Sequence, residues 1–187
     1  MKRVYVIHGW AGNSEKNWFP WLKKELENKG IRVFVFDMPN TKRPSIESWV
    51  KYLEENIKDI DEETYFIGYS VGCQTIIRFM EKLHKHKKIA GCFFVAPWFN
   101  LTNLRPKEME IIRPWINDKI DFSRILDHCD NFVAMFSTND PYVPISEQKI
   151  FKEKLNAKII HENNQGHFEE DEEPEILSQI LKFLKIH

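Results

Sequence analysis

The chain has few cysteines, and their arrangement excludes two kinds of small protein. Its three cysteines are Cys73, Cys92 and Cys129, and no Cys-x-x-Cys pair occurs. An odd number of widely spaced cysteines fits neither a disulfide framework nor a thiolate zinc site. Cys73 and Cys92 stand among apolar residues, so we predict that both are buried as small hydrophobic side chains. We expect a cytoplasmic protein.

Strong charge and long apolar runs are also missing. The formal net charge is -1, without the basic excess of a nucleic-acid-binding protein. No stretch approaches the ~18 consecutive apolar residues of a membrane-spanning helix, and the apolar run that begins at Arg3 is too short for a signal-peptide core. We expect neither a nucleic-acid partner nor a membrane. Dinucleotide, P-loop and His-Glu-x-x-His motifs are absent as well, so we expect no cofactor and no metal.

Strand and helix patterns alternate along the 187 residues, a length that suits a single domain over residues 1–187. Apolar and β-branched runs predict six strands, at 3–7, 32–36, 64–68, 89–95, 131–136 and 157–161. Helical patterns cover about 18–29, 45–57, 71–83 and 145–155, and Pro174 opens a last helix that runs to the C-terminus. The segment from Trp98 to about Cys129 is irregular, and its prolines, Pro106 and Pro114, predict that any helices in it are short.

This alternation predicts an α/β fold. We expect a three-layer sandwich in which a mainly parallel six-stranded sheet carries helices on both faces. Sheets of this kind bind ligands just beyond the carboxyl ends of their strands. Residues that directly follow the predicted strands are therefore the candidates for a functional site.

A Gly-x-Ser-x-Gly motif, Gly68-Tyr69-Ser70-Val71-Gly72, follows the third strand and precedes a helical pattern. This context is the one that a nucleophile elbow requires, a sharp turn that presents a serine at the edge of a sheet. Small residues at positions 68 and 72 let the strand and the helix approach each other. The alternative is a chance glycine-rich turn with a capping serine. We favour Ser70 as a nucleophile.

A serine hydroxyl needs a base to become reactive. Asn139-Asp140-Pro141 follows the fifth strand and Gly166-His167-Phe168 follows the sixth, in the order nucleophile, acid, histidine that α/β-hydrolases use. We predict His167 as the base and Asp140 as the acid that fixes its tautomer. A structural loop histidine and a capping aspartate are the alternatives for these two positions.

The competing histidines and acids are less well placed. His8 precedes the serine and should hold its loop by hydrogen bonds. The other histidines lie in a basic helix end, at the wrong end of the sheet, along a strand or at the terminus: His84, His86, His128, His161 and His187. The alternative acids, Asp118, Asp121 and Asp127, do not follow a strand.

Acyl-transfer chemistry also needs two backbone amides that face the developing negative charge. Val71, the residue after the nucleophile, should supply one, and Trp10 in the loop after the first strand should supply the other. Four aromatic residues are candidates for the substrate pocket: Tyr69, Trp98, Phe99 and Trp115. For those of the irregular segment, simple packing against the sheet's edge is an equal alternative.

These motifs together resemble a known family, the small serine hydrolases grouped with retinoblastoma-binding protein 9 and its bacterial YdeN-like relatives. The resemblance covers almost the whole chain and rests on the motifs above together with His8-Gly9-Trp10, Asp37-Met38-Pro39-Asn40, Glu47-Ser48-Trp49 and Ala96-Pro97. It implies an α/β-hydrolase with little or no lid and the same Ser70, Asp140, His167 triad. The Leu-x-Cys-x-Glu stretch that engages the retinoblastoma pocket is absent from this sequence, so that partner is not expected.

The sequence favours hydrolysis of a small ester, thioester or amide through an acyl-Ser70 intermediate, with a small-molecule acyl substrate as the partner. An acyltransferase with the same triad, and a non-catalytic interaction protein that retains the fold, are the alternatives. Without a large lid, we expect a shallow cleft that suits short acyl or aromatic groups rather than long lipids.

Overall fold

The computed structural model describes residues 1–186, so His187 lies outside the described residues. The strands are β1 (Arg3–Ile7), β2 (Arg32–Phe36), β3 (Thr64–Tyr69), β4 (Gly91–Val95), β5 (Phe132–Ser137) and β6 (Lys158–Glu162). The helices are α1 (Phe19–Glu27), α2 (Ile46–Asn56), α3 (Val71–Met80), α4 (Pro106–Asn117), α5 (Phe122–Leu126), α6 (Gln148–Leu155) and α7 (Pro174–Phe183). Between residues 1 and 186, no helix combines the length and the apolar character needed to cross a bilayer.

The six strands form one parallel sheet in the order β2-β1-β3-β4-β5-β6. This confirms the predicted sheet. Strand β4 is buried along its whole length, whereas the edge strands β2 and β6 are partly exposed. Central parallel strands are covered on both faces, which explains their nearly continuous apolar sequences.

Helices pack on both faces of this sheet. Tyr65 and Phe66 are neighbours on β3, so their side chains point to opposite faces. The Tyr65 ring contacts Phe183 of α7, with ring centroids 5.6 Å apart. The Phe66 ring contacts Phe79 of α3, with centroids 5.8 Å apart. Helices α3 and α7 therefore cover opposite faces, as the predicted three-layer arrangement requires.

Helix α2 begins where the sequence predicts. The Ser45 hydroxyl accepts a hydrogen bond from the Ser48 amide at 3.3 Å and so caps the helix. Helix α7 ends earlier than predicted, at Phe183 rather than at the C-terminus. Lys185 adopts a left-handed backbone with φ of 54°, and the Ile186 amide donates to the Leu181 carbonyl at 2.9 Å. This Schellman geometry closes the helix.

The segment from Trp98 to Cys129 contains the longest helix among the described residues, so the expectation of short helices there was wrong. Helix α4 has 12 residues and includes Pro114. A proline lacks the N–H that would bond to the carbonyl four residues earlier. That carbonyl belongs to Glu110, which is exposed, so water can satisfy it. Pro106 stands in the first turn, where a helix does not use the N–H.

The cysteines behave as predicted. Cys73 and Cys92 are fully buried in the core. Burial raises the pKa of both thiols well above the ordinary value, because the thiolate would lose its hydration. Both side chains therefore act as small apolar groups.

Glu173, immediately before α7, is only 2% exposed. Burial raises the pKa of its carboxyl from 4.5 to about 7, against the lowering effect of a hydrogen bond from the Glu170 amide. The folded protein thus holds a proton that the unfolded chain releases near pH 4.5. Stability from this group is complete below that pH and is lost as the pH rises through about 7.

We expect Glu173→Gln to stabilise the protein at pH 8 and to leave its stability at pH 4 nearly unchanged. The uncharged amide keeps the size of the side chain without the desolvation of an anion, so the gain at pH 8 should be about 1–3 kcal/mol. Urea unfolding at both pH values measures it. The matched control is Glu172→Gln at the exposed neighbouring position. Equal gains for both variants, or the same gain at pH 4, would contradict this role of Glu173.

Candidate active site

Ser70 occupies a strained turn between β3 and α3. Its φ is 52° and its ψ is -120°, a conformation that residues other than glycine adopt only when the surrounding structure enforces it. The Ser70 amide donates to the Val95 carbonyl of the neighbouring strand at 2.9 Å. This hydrogen bond holds the turn and leaves the hydroxyl at the carboxyl end of β3.

The two glycines of the motif are required by close contacts of the backbone. A Cβ atom at position 72 would lie 2.2 Å from the Ile7 carbonyl oxygen at the end of β1. A Cβ atom at position 68 would lie 2.8 Å from the Cα atom of Cys73. Real Cβ atoms do not approach other atoms this closely. The elbow therefore needs glycine at both positions, because α3 starts directly against β1 and β3.

The three residues predicted as a triad lie together. The Ser70 Oγ atom is 3.2 Å from His167 Nε2, and His167 Nδ1 is 2.7 Å from Asp140 Oδ2. The side chains of His167 and Asp140 are only 9% and 1% exposed. A carboxylate accepts hydrogen bonds, so His167 carries its proton on Nδ1. Nε2 is then free to accept the proton of the Ser70 hydroxyl.

Asp140 is fixed by its own backbone surroundings. Its Oδ1 atom accepts hydrogen bonds from the Tyr142 amide at 2.9 Å and from the Val143 amide at 3.0 Å. These two contacts leave Oδ2 for His167. The carboxylate thus has one oxygen for the loop and one for the imidazole.

Polar side chains at the end of β5 also hold the loop that carries His167, and the sequence analysis missed them. Ser137 Oγ accepts from the Gln165 amide at 3.0 Å, and Asn139 Oδ1 accepts from the Gly166 amide at 2.8 Å. The signal in the sequence is a run of polar residues directly after a buried strand. These contacts tie the loop that carries His167 to the end of β5, near which Asp140 lies.

Two tyrosines contact His167. The Tyr69 hydroxyl donates to the His167 carbonyl oxygen at 2.8 Å, and the two ring centroids are 5.2 Å apart. The Tyr142 ring lies across the imidazole with centroids 5.4 Å apart. Burial raises the pKa of the Tyr69 hydroxyl well above its ordinary value, so it remains a hydrogen-bond donor. Nothing in the local sequence identifies Tyr142 as a neighbour of the histidine.

His8 has the structural role that was predicted. Its Nδ1 donates to the Gly9 carbonyl at 2.8 Å, and its Nε2 accepts from the Met38 amide at 3.1 Å. Burial lowers its pKa, which favours the neutral ring that this pair of contacts requires. The ring therefore fixes the start of the loop that contains Trp10.

The backbone amides of Trp10 and Val71 are the predicted oxyanion donors. Trp10 and Gly9 border the cleft beside Ser70, and Val71 is the first residue of α3. Within the described part of the chain, neither amide donates to a protein acceptor. Both are free to bind an oxyanion, and their role stays a prediction.

The competing residues lie elsewhere. His128 Nδ1 donates to the Lys87 carbonyl at 2.8 Å, and His161 contacts Gln148. His84 and His86 are exposed, and His187 lies outside the described residues.

The competing acids also lie away from His167. Asp121 caps α5. Asp118 and Asp127 follow the ends of α4 and α5, so none of the three acids faces His167.

A cleft of about 520 Å³ opens beside Ser70 and His167. Its apolar lining comes from Trp10, Phe19, Tyr69, Leu101, Leu104 and Tyr142. Polar and charged residues line the remainder: Lys16, Asn17, Asn103, Arg105, Glu108 and Glu169. The segment after β4 forms one wall, where its side chains are of mixed polarity.

Of the four predicted pocket residues, only Tyr69 lines this cleft. The prediction was wrong for Phe99, whose ring stacks on Phe151 with centroids 4.7 Å apart. It was also wrong for Trp115, which packs edge-on against Trp49 and donates to the Pro44 carbonyl at 3.1 Å. Trp98 is 1% exposed and lies beneath Ser70 instead of in the wall. Phe99 and Trp115 therefore pack against helices α6 and α2 instead of facing the cleft.

Comparisons of sequence and of structure with known proteins both find hydrolases. A sequence profile of the serine hydrolase family matches residues 4–185. The putative hydrolase YdeN of Bacillus subtilis is 30% identical over 171 residues, which are 91% of this chain and 88% of that protein. The serine hydrolase RBBP9 of Rattus norvegicus is 28% identical over 188 residues, or 97% and 95% of the two chains. The crystal structure of the ydeN gene product from B. subtilis matches with a TM-score of 0.89 at 26% identity, covering 99% of this chain and 100% of that one.

Proposed function

This chain belongs to the serine hydrolase family, and from that premise we propose that it cleaves a small ester, thioester or amide through an acyl-Ser70 intermediate. In this proposal Ser70 is the nucleophile, His167 the general base and Asp140 the acid that orients it. The supporting observation is the hydrogen-bonded chain from Asp140 Oδ2 to His167 at 2.7 Å and from His167 to Ser70 Oγ at 3.2 Å.

The first half of the reaction is acylation. Ser70 Oγ attacks the substrate carbonyl carbon while the hydroxyl proton moves to His167 Nε2. Asp140 stabilises the imidazolium through the proton on Nδ1. His167 then protonates the leaving group, which departs and leaves the acyl group on Ser70. In the second half, a water molecule repeats these steps and releases the acid.

The oxyanion of each tetrahedral intermediate is assigned to the amides of Val71 and Trp10. The Val71 amide is at the N-terminus of α3, where the helix dipole favours negative charge. The Trp10 loop is held by His8, whose Nε2 accepts from the Met38 amide at 3.1 Å. Donors that are fixed before the charge develops need no rearrangement during the reaction.

The cleft supports a short acyl group as the substrate's acid portion. Its volume of about 520 Å³ suits a small molecule. The lining contains both apolar and charged side chains, so a long alkyl chain would meet Arg105 and Glu108. We assign the apolar part to the acyl group and the polar part to a polar leaving group.

The proposed function is tested first by reaction with a fluorophosphonate probe. Such probes phosphonylate an activated serine, so we expect one label per chain, mapped by peptide mass spectrometry to Ser70. Label on another residue, or none, would contradict the assignment of the nucleophile. Product analysis with added alcohols separates hydrolysis from acyl transfer to another acceptor.

The proposed substrate class is tested with p-nitrophenyl esters of increasing chain length. We expect kcat/KM to be highest for the acetate or butyrate and to fall by about tenfold or more for the laurate, because a pocket discriminates a few methylenes by about this factor. The measurement is initial rates below the critical micelle concentration. Faster cleavage of the laurate would exclude a short acyl group.

A further inference from the structure

The nucleophile has a second polar partner besides the histidine. The indole Nε1 of Trp98 donates to Ser70 Oγ at 3.4 Å. Trp98 is 1% exposed and does not line the cleft. Its ring therefore meets Ser70 from the core side, away from the bound substrate.

We propose that Trp98 is a catalytic residue that acts directly on the oxygen of the nucleophile. The inference rests on the proposed function, because it concerns the same Ser70. An indole N–H can donate a hydrogen bond but cannot accept one. Ser70 Oγ must therefore accept from Trp98, and the hydroxyl proton is left for His167.

The donors along this path all point in one direction. Trp98 donates to Ser70, Ser70 donates to His167, and His167 donates to Asp140. Hydrogen bonds arranged head to tail polarise one another, so each strengthens the next. This series of hydrogen bonds begins at the Trp98 N–H and ends at the Asp140 carboxylate.

The position of Trp98 is built by the surrounding backbone. Gln74 of α3, fully buried, donates its Nε2 to the Trp98 carbonyl at 2.9 Å. Ala96, two residues before Trp98, has a left-handed φ of 46°. Strain of this kind persists where the structure enforces it, commonly beside active sites. Two strained residues, Ser70 and Ala96, thus stand at the ends of adjacent strands.

The indole would act during both halves of the reaction. As Ser70 Oγ bonds to the carbonyl carbon, its O–H bond breaks, the proton passes to His167 and the carbonyl electrons move to the substrate oxygen. Trp98 keeps its own proton and stabilises the partial negative charge on Oγ while that bond is incomplete. When Oγ leaves during deacylation, the same donor stabilises it until His167 returns the proton.

The experiment compares tryptophan-to-phenylalanine substitutions at two buried positions. Trp98→Phe removes the N–H beside Ser70, and Trp115→Phe removes an equally buried N–H that donates to the Pro44 carbonyl, away from the cleft. Both variants lose one hydrogen bond and part of a ring, so thermal melts should show similar losses of stability. For each we measure kcat and KM for p-nitrophenyl acetate and the rate constant of fluorophosphonate labelling.

For Trp98→Phe we expect kcat and the labelling rate constant to fall together by about tenfold, the effect of one hydrogen bond to a charged atom, with KM unchanged. Trp115→Phe should stay within about twofold of the parent. The role of Trp98 is overturned if Trp98→Phe keeps the parent kcat and labelling rate constant. It is also overturned if Trp115→Phe lowers these two quantities as much as Trp98→Phe does. Failure of the parent enzyme itself to label at Ser70 would instead overturn the proposed function, and the role of Trp98 with it.

Discussion

Ser70→Ala is expected to lower kcat for p-nitrophenyl acetate by about 10⁴-fold or more and to abolish fluorophosphonate labelling, because the attacking oxygen is removed. The fold should survive the change. The Ser70 amide still donates to the Val95 carbonyl, and alanine has the same Cβ atom as serine in the strained turn. The measurement is the steady-state rate per mole of protein, with the protein concentration determined by a method that does not require an active serine.

The matched control is Ser178→Ala on the exposed surface of α7. It removes one hydroxyl far from the elbow and should retain the parent rate. Turnover by Ser70→Ala within tenfold of the parent would exclude Ser70 as the nucleophile. Similar thermal melts for the two variants would show that a lost rate reflects chemistry rather than unfolding.

Asp140→Asn is expected to lower kcat by about 10³- to 10⁴-fold, because it changes the tautomer of His167. The Tyr142 and Val143 amides both donate to Oδ1 of residue 140. They will hold the carbonyl oxygen of an asparagine at that position, which directs its NH₂ group at His167 Nδ1. The imidazole must then carry its proton on Nε2, facing Ser70, where it cannot act as a base.

Asp121→Asn serves as the control for this substitution. Asp121 caps α5 through the Ser123 amide, and asparagine caps helices as well as aspartate does. We expect the control to keep both its rate and its stability. An Asp140→Asn enzyme with more than about a tenth of the parent kcat would remove Asp140 from the mechanism.

The strands, and the closeness of Ser70, Asp140 and His167, could be predicted because their signals are local. Central parallel strands are apolar throughout, and Gly68 and Gly72 flank Ser70 where two backbones nearly touch. Asp140 and His167 each follow a strand directly, and parallel strands bring their carboxyl ends to one edge of the sheet. Short stretches of sequence therefore contain most of what assembles the site.

The cleft could not be predicted in the same way because distant contacts determine it. Whether Phe99 faces the substrate or the core depends on Phe151, more than fifty residues along the chain, on which its ring stacks. The length of helix α4 was underestimated because the prolines in its sequence suggested a break, whereas the exposed position of Glu110 leaves its unpaired carbonyl accessible to water. Trp98 was a candidate for the substrate pocket, since no local pattern shows that its N–H reaches Ser70 Oγ.

The order of the strands places Ser70 and His167, the proposed nucleophile and base, in regions of different protection. Ser70 follows the central strand β3, whereas His167 follows β6 at the edge of the sheet. Edge elements open at a lower free energy than the centre of a fold. A fluctuation that detaches β6 and also breaks the hydrogen bonds between its loop and the end of β5 would withdraw the His167 imidazole while Ser70 stays in place. We therefore expect thermal inactivation to begin locally at β6, below the temperature at which the central strands unfold.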